Sequence, residues 1–566
     1  MPLKPIFERA PLRMADALPL RAGQVRMKDE ILEQLLRLAA KAEPAPSLWE
    51  GMLRVEALLE EHPEKGDTAA RVMVAVTAQA EDGSLPMSLA DSVSLMRACF
   101  VLYERTAEKT YAEPIMRWCG WLNAHWDEAI ACGELRCHPA DLLELLVQLY
   151  RVTGKKALLG LLEKLRRGSM DWSGILHTFS IQRPMSKVTP WTELQKGIEQ
   201  EQDNEQGFYT RQSLAAHGAS LGDGARAASL NGTFSGNGQE LSACRTGWEK
   251  IVKQHGAVCG GITSDEMVAG TSPAAGIDMI AVAAWCEALC LATEQDDGVW
   301  SWEAVERMLL NAIPHALIGD ELQSLIRVND LRADPEGHGA YHLSDRAERD
   351  AKALARLLRA VADVMSHAVM ARKDGATIGI LRSGRYTVPT EHGTMQLCVD
   401  AAAGKSVITV RVRQPLKAAL AIRIPSWAEE ACLSVNDEGG DEGKPGTMTS
   451  LEREWHDGDR ISVEWHEALH VSEGYHQGEA VYLGGRLLCL SSDRTDWAVA
   501  LTDAPVADED GTVSVAAAPV EGWRLRSGIP ADLPVLPAVT ADATVTHLAP
   551  YASTHGIALF PKGHRA

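Results

Sequence analysis

Asp345–Leu381 reads DRAERDAKALARLLRAVADVMSHAVMARKDGATIGIL. As far as Ala371 the apolar residues return every three or four positions, the period of a helix with one face on a core. After Asp374 the period falls to two, so Thr377–Leu381 reads as a strand. This switch divides the chain. Upstream, from about Val25, amphipathic helical segments recur at Lys28–Ala40, Trp49–Glu61, Thr68–Ala80, Leu89–Arg105, Ala112–Trp126, Ala140–Thr153 and Lys156–Arg166. They continue at Leu241–Gln254, Ile277–Thr293 and Trp302–Ile318, with breakers such as Glu81-Asp82-Gly83-Ser84 between them. Downstream, Thr394–Val399, Ser406–Val412, Ala418–Ile424, Arg460–Trp465 and Ala480–Leu483 read as strands. Asn436–Gly446 reads as an acidic, glycine-rich loop.

The expected architecture is multidomain, α plus β. A helical domain spans 1–372, β-sandwich material 373–480, and a C-terminal β domain with Pro-rich connections 481–566. Many successive helices without a clean fixed-period repeat favour a helical barrel over a solenoid.

Composition bounds the function. The 566 residues carry 56 Lys+Arg against 77 Asp+Glu, a formal net charge of −21. That balance argues against an electrostatic nucleic-acid binder, which needs a basic surface to displace counterions. Hydrophobic residues at 46% and charged residues at 23% are those of a globular protein and exclude wholesale disorder. Met1–Arg26 has no apolar run of the signal-peptide kind. The greasy stretch Met279–Ala292 contains Glu287 and is shorter than the ~20 residues of a membrane span. Eleven cysteines in no regular framework read as reduced thiols, hence a cytoplasmic location.

The segment richest in chemistry is Gly260–Gly270, GGITSDEMVAG. Its adjacent carboxylates Asp265 and Glu266 lie in a Gly-flanked loop just before the most apolar helix, and Asp278 stands at that helix's entry. A carboxyl buried in such a loop has its pKa raised and suits general acid catalysis. Asp265 and Asp278 could equally cap helices. His217, followed by Gly218, is either a polar pocket residue or a structurally satisfied histidine. Cys286 and Cys290, and the loose group Cys132, Cys137 and His138, lack the spacing of a metal motif, so neither metal nor cofactor is expected. Walker, dinucleotide, serine-elbow and zincin patterns are missing. The 15 Trp against 6 Phe and 9 Tyr fit a helical core, or sugar-stacking platforms.

In order and spacing, several of these segments resemble glycoside hydrolase family 127, the β-L-arabinofuranosidase type. Gly260–Ile280 resembles its signature loop, Ala78–Leu85 its "AQ-x-x-DGYL" segment, and His217–Ser220 its "HG-x-N" helix with Ser220 replacing Asn. Ala419–Ala428 resembles its "LRIPGWA" strand, and Val471–Gly485 and Pro550–Pro561 its later strands. The resemblance implies an (α/α)6 barrel followed by β-sandwiches and a carbohydrate substrate. It places Glu266 at the general acid/base, His217 at a sugar-binding position, and Asp141 where relatives often have a pocket His. It also implies a zinc-held cysteine nucleophile, and there the sequence departs. Asp278 stands at the Glu ligand, Ile280 at the first Cys ligand, and no cysteine lies between Cys290 and Cys398. Without the thiol, thiolate chemistry cannot operate. The expectation is therefore hydrolysis of a small oligosaccharide or glycoside by carboxylates, Glu266 as acid and Asp278, Asp265 or Asp141 as base or nucleophile. The alternative is a carbohydrate-binding or regulatory relative that has lost catalysis.

Overall fold

The computed structural model describes residues 17–61, 67–131, 133–185, 214–295, 298–329, 346–491, 499–508, 511–521, 538–539 and 541–561. The expected helices form within a few residues of where the apolar period puts them, among them Glu30–Lys41, Leu89–Thr106, Ala140–Thr153 and Arg346–His367. Caps set their starts. Asp29 accepts from the backbone N–H of Ile31 and Leu32, and Ser88 from that of Asp91.

One helix, Gly218–Ser235, goes beyond the list of amphipathic segments. Its sequence GASLGDGARAASLNGTFS has no apolar stripe because nearly every residue is buried. It packs against Met279–Thr293, also buried almost throughout. Small residues make that approach possible: a Cβ at Gly222 would stand 2.8 Å from Ala284 Cβ and 2.9 Å from the Trp285 backbone nitrogen. Met279–Thr293 in turn packs on Arg346–His367, which packs on Pro46–Leu58. These helices make the centre of the helical body. Trp118, Trp172, Trp285 and Trp302 fill its core.

Beyond His367 the chain turns to strands, so the last part of the expected helix to Ala371 is the strand Val369–Arg372. Among the described residues the strands form four sheets. The first runs, in spatial order, Leu18–Pro19, Val369–Arg372, Gly375–Ile378, Leu416–Ile424 and Thr447–Trp455. The second runs Glu438–Gly443, Ala428–Val435, Arg460–Glu467, Lys405–Val412, Gly393–Ala402, Gly384–Thr390 and Val25–Arg26. The chain's early strands thus complete sheets built mostly from residues after 368. Asn436–Gly446 is a correction: Glu438–Gly443 is a strand paired with Ala428–Val435. Its Gly and acidic residues hide the pattern because the edge strand is exposed over most of its length.

The third sheet holds Leu469–Glu473, Glu479–Leu483, Arg486–Ser491, Val499–Leu501, Val513–Glu521 and Thr544–Pro550, over a core that includes Val481, Leu488, Val515 and Phe560. Polar ties bind it to the helical body. Asn311 Nδ2 donates to Gly485 O (3.0 Å) and its Oδ1 accepts from Leu487 N (2.8 Å). Asn329 Oδ1 accepts from Ala558 N and Leu559 N, both at 2.9 Å, while the Tyr482 hydroxyl donates to Val258 O at 2.6 Å. Arg423, 2% exposed, donates to Gly379 O (2.6 Å), to Glu303 (2.9 Å) and to Glu306. None of the described helices is long and apolar enough to cross a membrane.

Candidate active site

The loop Gly260–Gly270 is fixed by its own backbone. Ser264–Asp265 pairs antiparallel with Met267–Val268 and parallel with Gly276–Asp278, which pairs with Leu325–Arg327. His255, fully buried, frames this small sheet: its Nδ1 accepts from Gly270 N (2.9 Å) and its Nε2 faces Ile181 O (2.9 Å). Burial keeps the ring neutral, so Nε2 carries the proton.

Glu266 sits at the tip of the two-residue strands with φ +69°, a left-handed conformation rare outside glycine that costs about 1 kcal/mol or more. Two hydrogen bonds pin it there: Gly218 N–H and the Ser264 hydroxyl both donate to its carbonyl at 2.7 Å. Val268 N donates to Ala216 O at 2.8 Å, and His217 bridges Met267. The signature loop is thereby stitched to the start of Gly218–Ser235, which brings His217 to Glu266. Glu266 is 5% exposed.

Asp278 is 1% exposed and has both properties weighed for it. It caps Met279–Thr293, accepting from Ile280 N at 2.9 Å. Burial nevertheless pushes its carboxyl up to about 7, helped by the Glu266 and Asp265 charges and opposed by that hydrogen bond and by Arg349. Asp265 lies on the neighbouring strand. A side chain at Gly276 would collide with its Oδ1, so the glycine is required where the strands meet. Glu266, Asp278 and Asp265 are thus brought together around one small sheet.

His217 is half-buried. Its Nδ1 accepts from Ser220 N (3.1 Å) and meets the Ser220 hydroxyl (2.9 Å), the place where Ser220 replaces Asn. Burial and the neighbouring His138 lower its pKa to about 4. It is neutral at pH 7, with the proton on Nε2. Asp223 and Arg356 act on it as well.

Asp141 makes its contacts with Arg226 and Arg359 rather than with the small sheet. It joins a buried network that reading the sequence did not expose. Arg226 donates to Glu287 (2.8 Å), Glu144 (3.2 Å) and Asp141. Arg359 donates to Glu287 (2.9 Å) and Asp141 (3.1 Å), and Arg356 to Asp223 (2.9 Å) and Glu287 (2.7 Å). Arg97 makes a two-pronged pair with Glu50 at 2.7 and 2.9 Å. Burial would raise these carboxyls, yet the facing guanidinium groups hold Asp141 and Glu287 far below the usual range. About a third of the Asp141 side chain is exposed, the most open carboxylate of this network. The one signal for the network lies in Arg346–His367, where Arg349, Arg356, Arg359 and Asp363 follow one another at intervals of seven, three and four residues, a helical spacing.

A zinc–cysteine centre does not fit these residues. Ile280 offers no donor where the first cysteine would be, and Asp278 spends an oxygen on a helix cap. Among the described residues no three His, Cys, Asp or Glu come together as a metal shell. Cys259, just ahead of the loop, is fully buried, and burial pushes its thiol up to about 12, so it is protonated at neutral pH.

Residues 394–466, strands of the first two sheets, match the family model described as "Beta-L-arabinofuranosidase, GH127 middle domain". Over these residues the chain is similar to a GH127 middle domain. Three solved structures share the fold over nearly the whole chain. One, described as a glycoside hydrolase, is 15% identical with a TM-score of 0.69, covering 97% of this chain and 98% of its own. A GH127 β-L-arabinofuranosidase from Geobacillus stearothermophilus T6 is 16% identical with a TM-score of 0.65, covering 94% of both. A GH127 β-arabinofuranosidase is 11% identical with a TM-score of 0.64, covering 97% and 98%. No curated protein sequence matches significantly. The resemblance to GH127 read from the motifs therefore holds at the level of the middle domain and the fold.

Proposed function

We propose that the chain is a glycoside hydrolase acting on a small oligosaccharide or glycoside by carboxylate acid/base chemistry. The carrying observation is that Glu266 and Asp278, both nearly fully buried, meet around one small sheet of a GH127-like fold, with Asp278 near 7. A carboxyl poised near neutrality can hold and release a proton at the glycosidic oxygen. Glu266 and Asp278 divide the acid and base or nucleophile roles, with Asp265 beside them. His217 and Asp141 bind sugar hydroxyls, the first as a neutral donor and the second as an ionised acceptor. In this reading the helices form the family's (α/α)6 barrel over 1–372, followed by a β-sandwich over 373–480 and a C-terminal β domain over 481–566. The substrate is a carbohydrate, with arabinofuranosides first to test because two structural neighbours are arabinofuranosidases. The ten described cysteines, all free, support a reducing, cytoplasmic location.

One feature favours the second reading, a sugar binder without turnover: by the motif resemblance, Ile280 stands where the family has a ligand of its catalytic centre. A panel of aryl glycosides separates the two. Hydrolysis that vanishes in Glu266→Gln supports the enzyme. Saturable sugar binding with no turnover by either protein supports the binder.

A further inference from the structure

Three carboxylates crowd the small sheet, and Asp278 and Glu266 are almost wholly buried. Like charges in such a place need a facing cation or must stay protonated. Arg349 is placed to be that cation. It lies in the first turn of Arg346–His367 and is 8% exposed. Its Nε donates to Ser324 Oγ at 3.3 Å, and Ser324 O accepts from Met279 N at 2.9 Å. The next residue, Leu325, pairs across the sheet with Asp278 itself. The guanidinium is therefore tied to the stretch of backbone that abuts Asp278, and its charge acts on that carboxyl against those of Glu266 and Asp265. Ser324 completes the tie by donating to Asp350, the residue after Arg349.

We propose that Arg349 is the positioning residue of this site: its guanidinium is the built-in counter-charge that orients Asp278 beside Glu266, among residues whose donor set does not suit zinc. The role rests on the glycosidase reading for its catalytic consequence, but not for the pairing itself.

Two measurements test it. In thermal unfolding, Arg349→Met lowers the Tm of the wild-type protein by several degrees, and the same change in an Asp278→Asn background costs a third of that or less. Additive losses would overturn the pairing. If Arg349→Met does not fold, Arg349→Lys goes through the same cycle with the same criterion. In kinetics, Arg349→Met lowers kcat about 100-fold, as expected when a preorganised charge is removed. KM stays within about threefold, and Arg349→Lys recovers roughly tenfold of kcat, because a mobile ammonium replaces the charge but not the planar fork. A KM rise with kcat unchanged would assign Arg349 to substrate binding and sink the proposal, as would stoichiometric zinc in the purified wild-type protein. If the wild-type protein hydrolyses no glycoside, the glycosidase reading fails alone, and the unfolding cycle still decides Arg349.

Discussion

Asp278 and Glu287 belong to the same helix, Met279–Thr293, one as its cap and the other two and a half turns on. Both are buried, at 1% and 2% exposure, yet their carboxyls move in opposite directions. Burial raises Asp278 to about 7, with two like charges near it and one guanidinium opposing. Burial would raise Glu287 too, but Arg226, Arg359 and Arg356 surround it and hold it well below the usual range. Burial alone therefore does not make a catalytic acid; the local count of guanidinium groups decides. The network around Glu287 keeps its carboxylates ionised, whereas the small sheet beside Glu266 holds Asp278, a carboxyl able to carry a proton at neutral pH.

Replacing one carboxylate in each region breaks this contrast most directly. Glu266→Gln is expected to lower aryl-glycoside hydrolysis about 10³-fold with the Tm nearly unchanged. Glu287→Gln is expected to do the reverse. Removing one partner of a buried charge cluster costs about 3–5 kcal/mol, seen as a large drop in thermal stability.

pH sharpens the contrast. The raised Asp278 contributes stability fully present below pH 4 or so, near its unfolded pKa, and lost as pH rises through about 7. Asp278→Asn should therefore gain on the wild-type protein by about 3 kcal/mol between pH 5 and 8, measured as the difference in unfolding free energy. The depressed Glu287 has the opposite sign: its contribution is present above pH 4.5 and lost as pH falls through its folded value. The smallest effect is on thiols. Alkylating the exposed Cys432 should leave kcat unchanged, because the thiols near the site, Cys259 and Cys286, are buried and protonated. Loss of activity in step with labelling would restore a cysteine mechanism.

Much of this was legible before any coordinates. Helices such as Ala140–Thr153 and Arg346–His367 announce themselves because one face is wet and the other dry. Gly218–Ser235 does not, since a helix buried on all sides has no face to contrast. Glu266, Asp265 and Asp278 were readable because they cluster within one short segment, and His217 because its motif precedes a glycine. The arginine network was not. Arg97, Arg226 and Arg359 lie on three helices and meet only through tertiary packing, and arginine on a helix ordinarily reads as solvated surface. Arg349 was hidden for the same reason.

The bonds from Asn329 to Ala558 and Leu559 have a consequence in time. Asn329 flanks the strand that supports Asp278, and its partner strand lies 230 residues further along the chain. At a synthesis rate of about 5–20 residues per second, roughly ten to fifty seconds pass between the emergence of the two. Once Arg346–His367 has followed, the helical body waits out the rest of that interval with its central charges assembled and the strand beside Asp278 without its brace. A ribosome that pauses late in this message would therefore hold a protein with every acid and base in place and no finished site to use them.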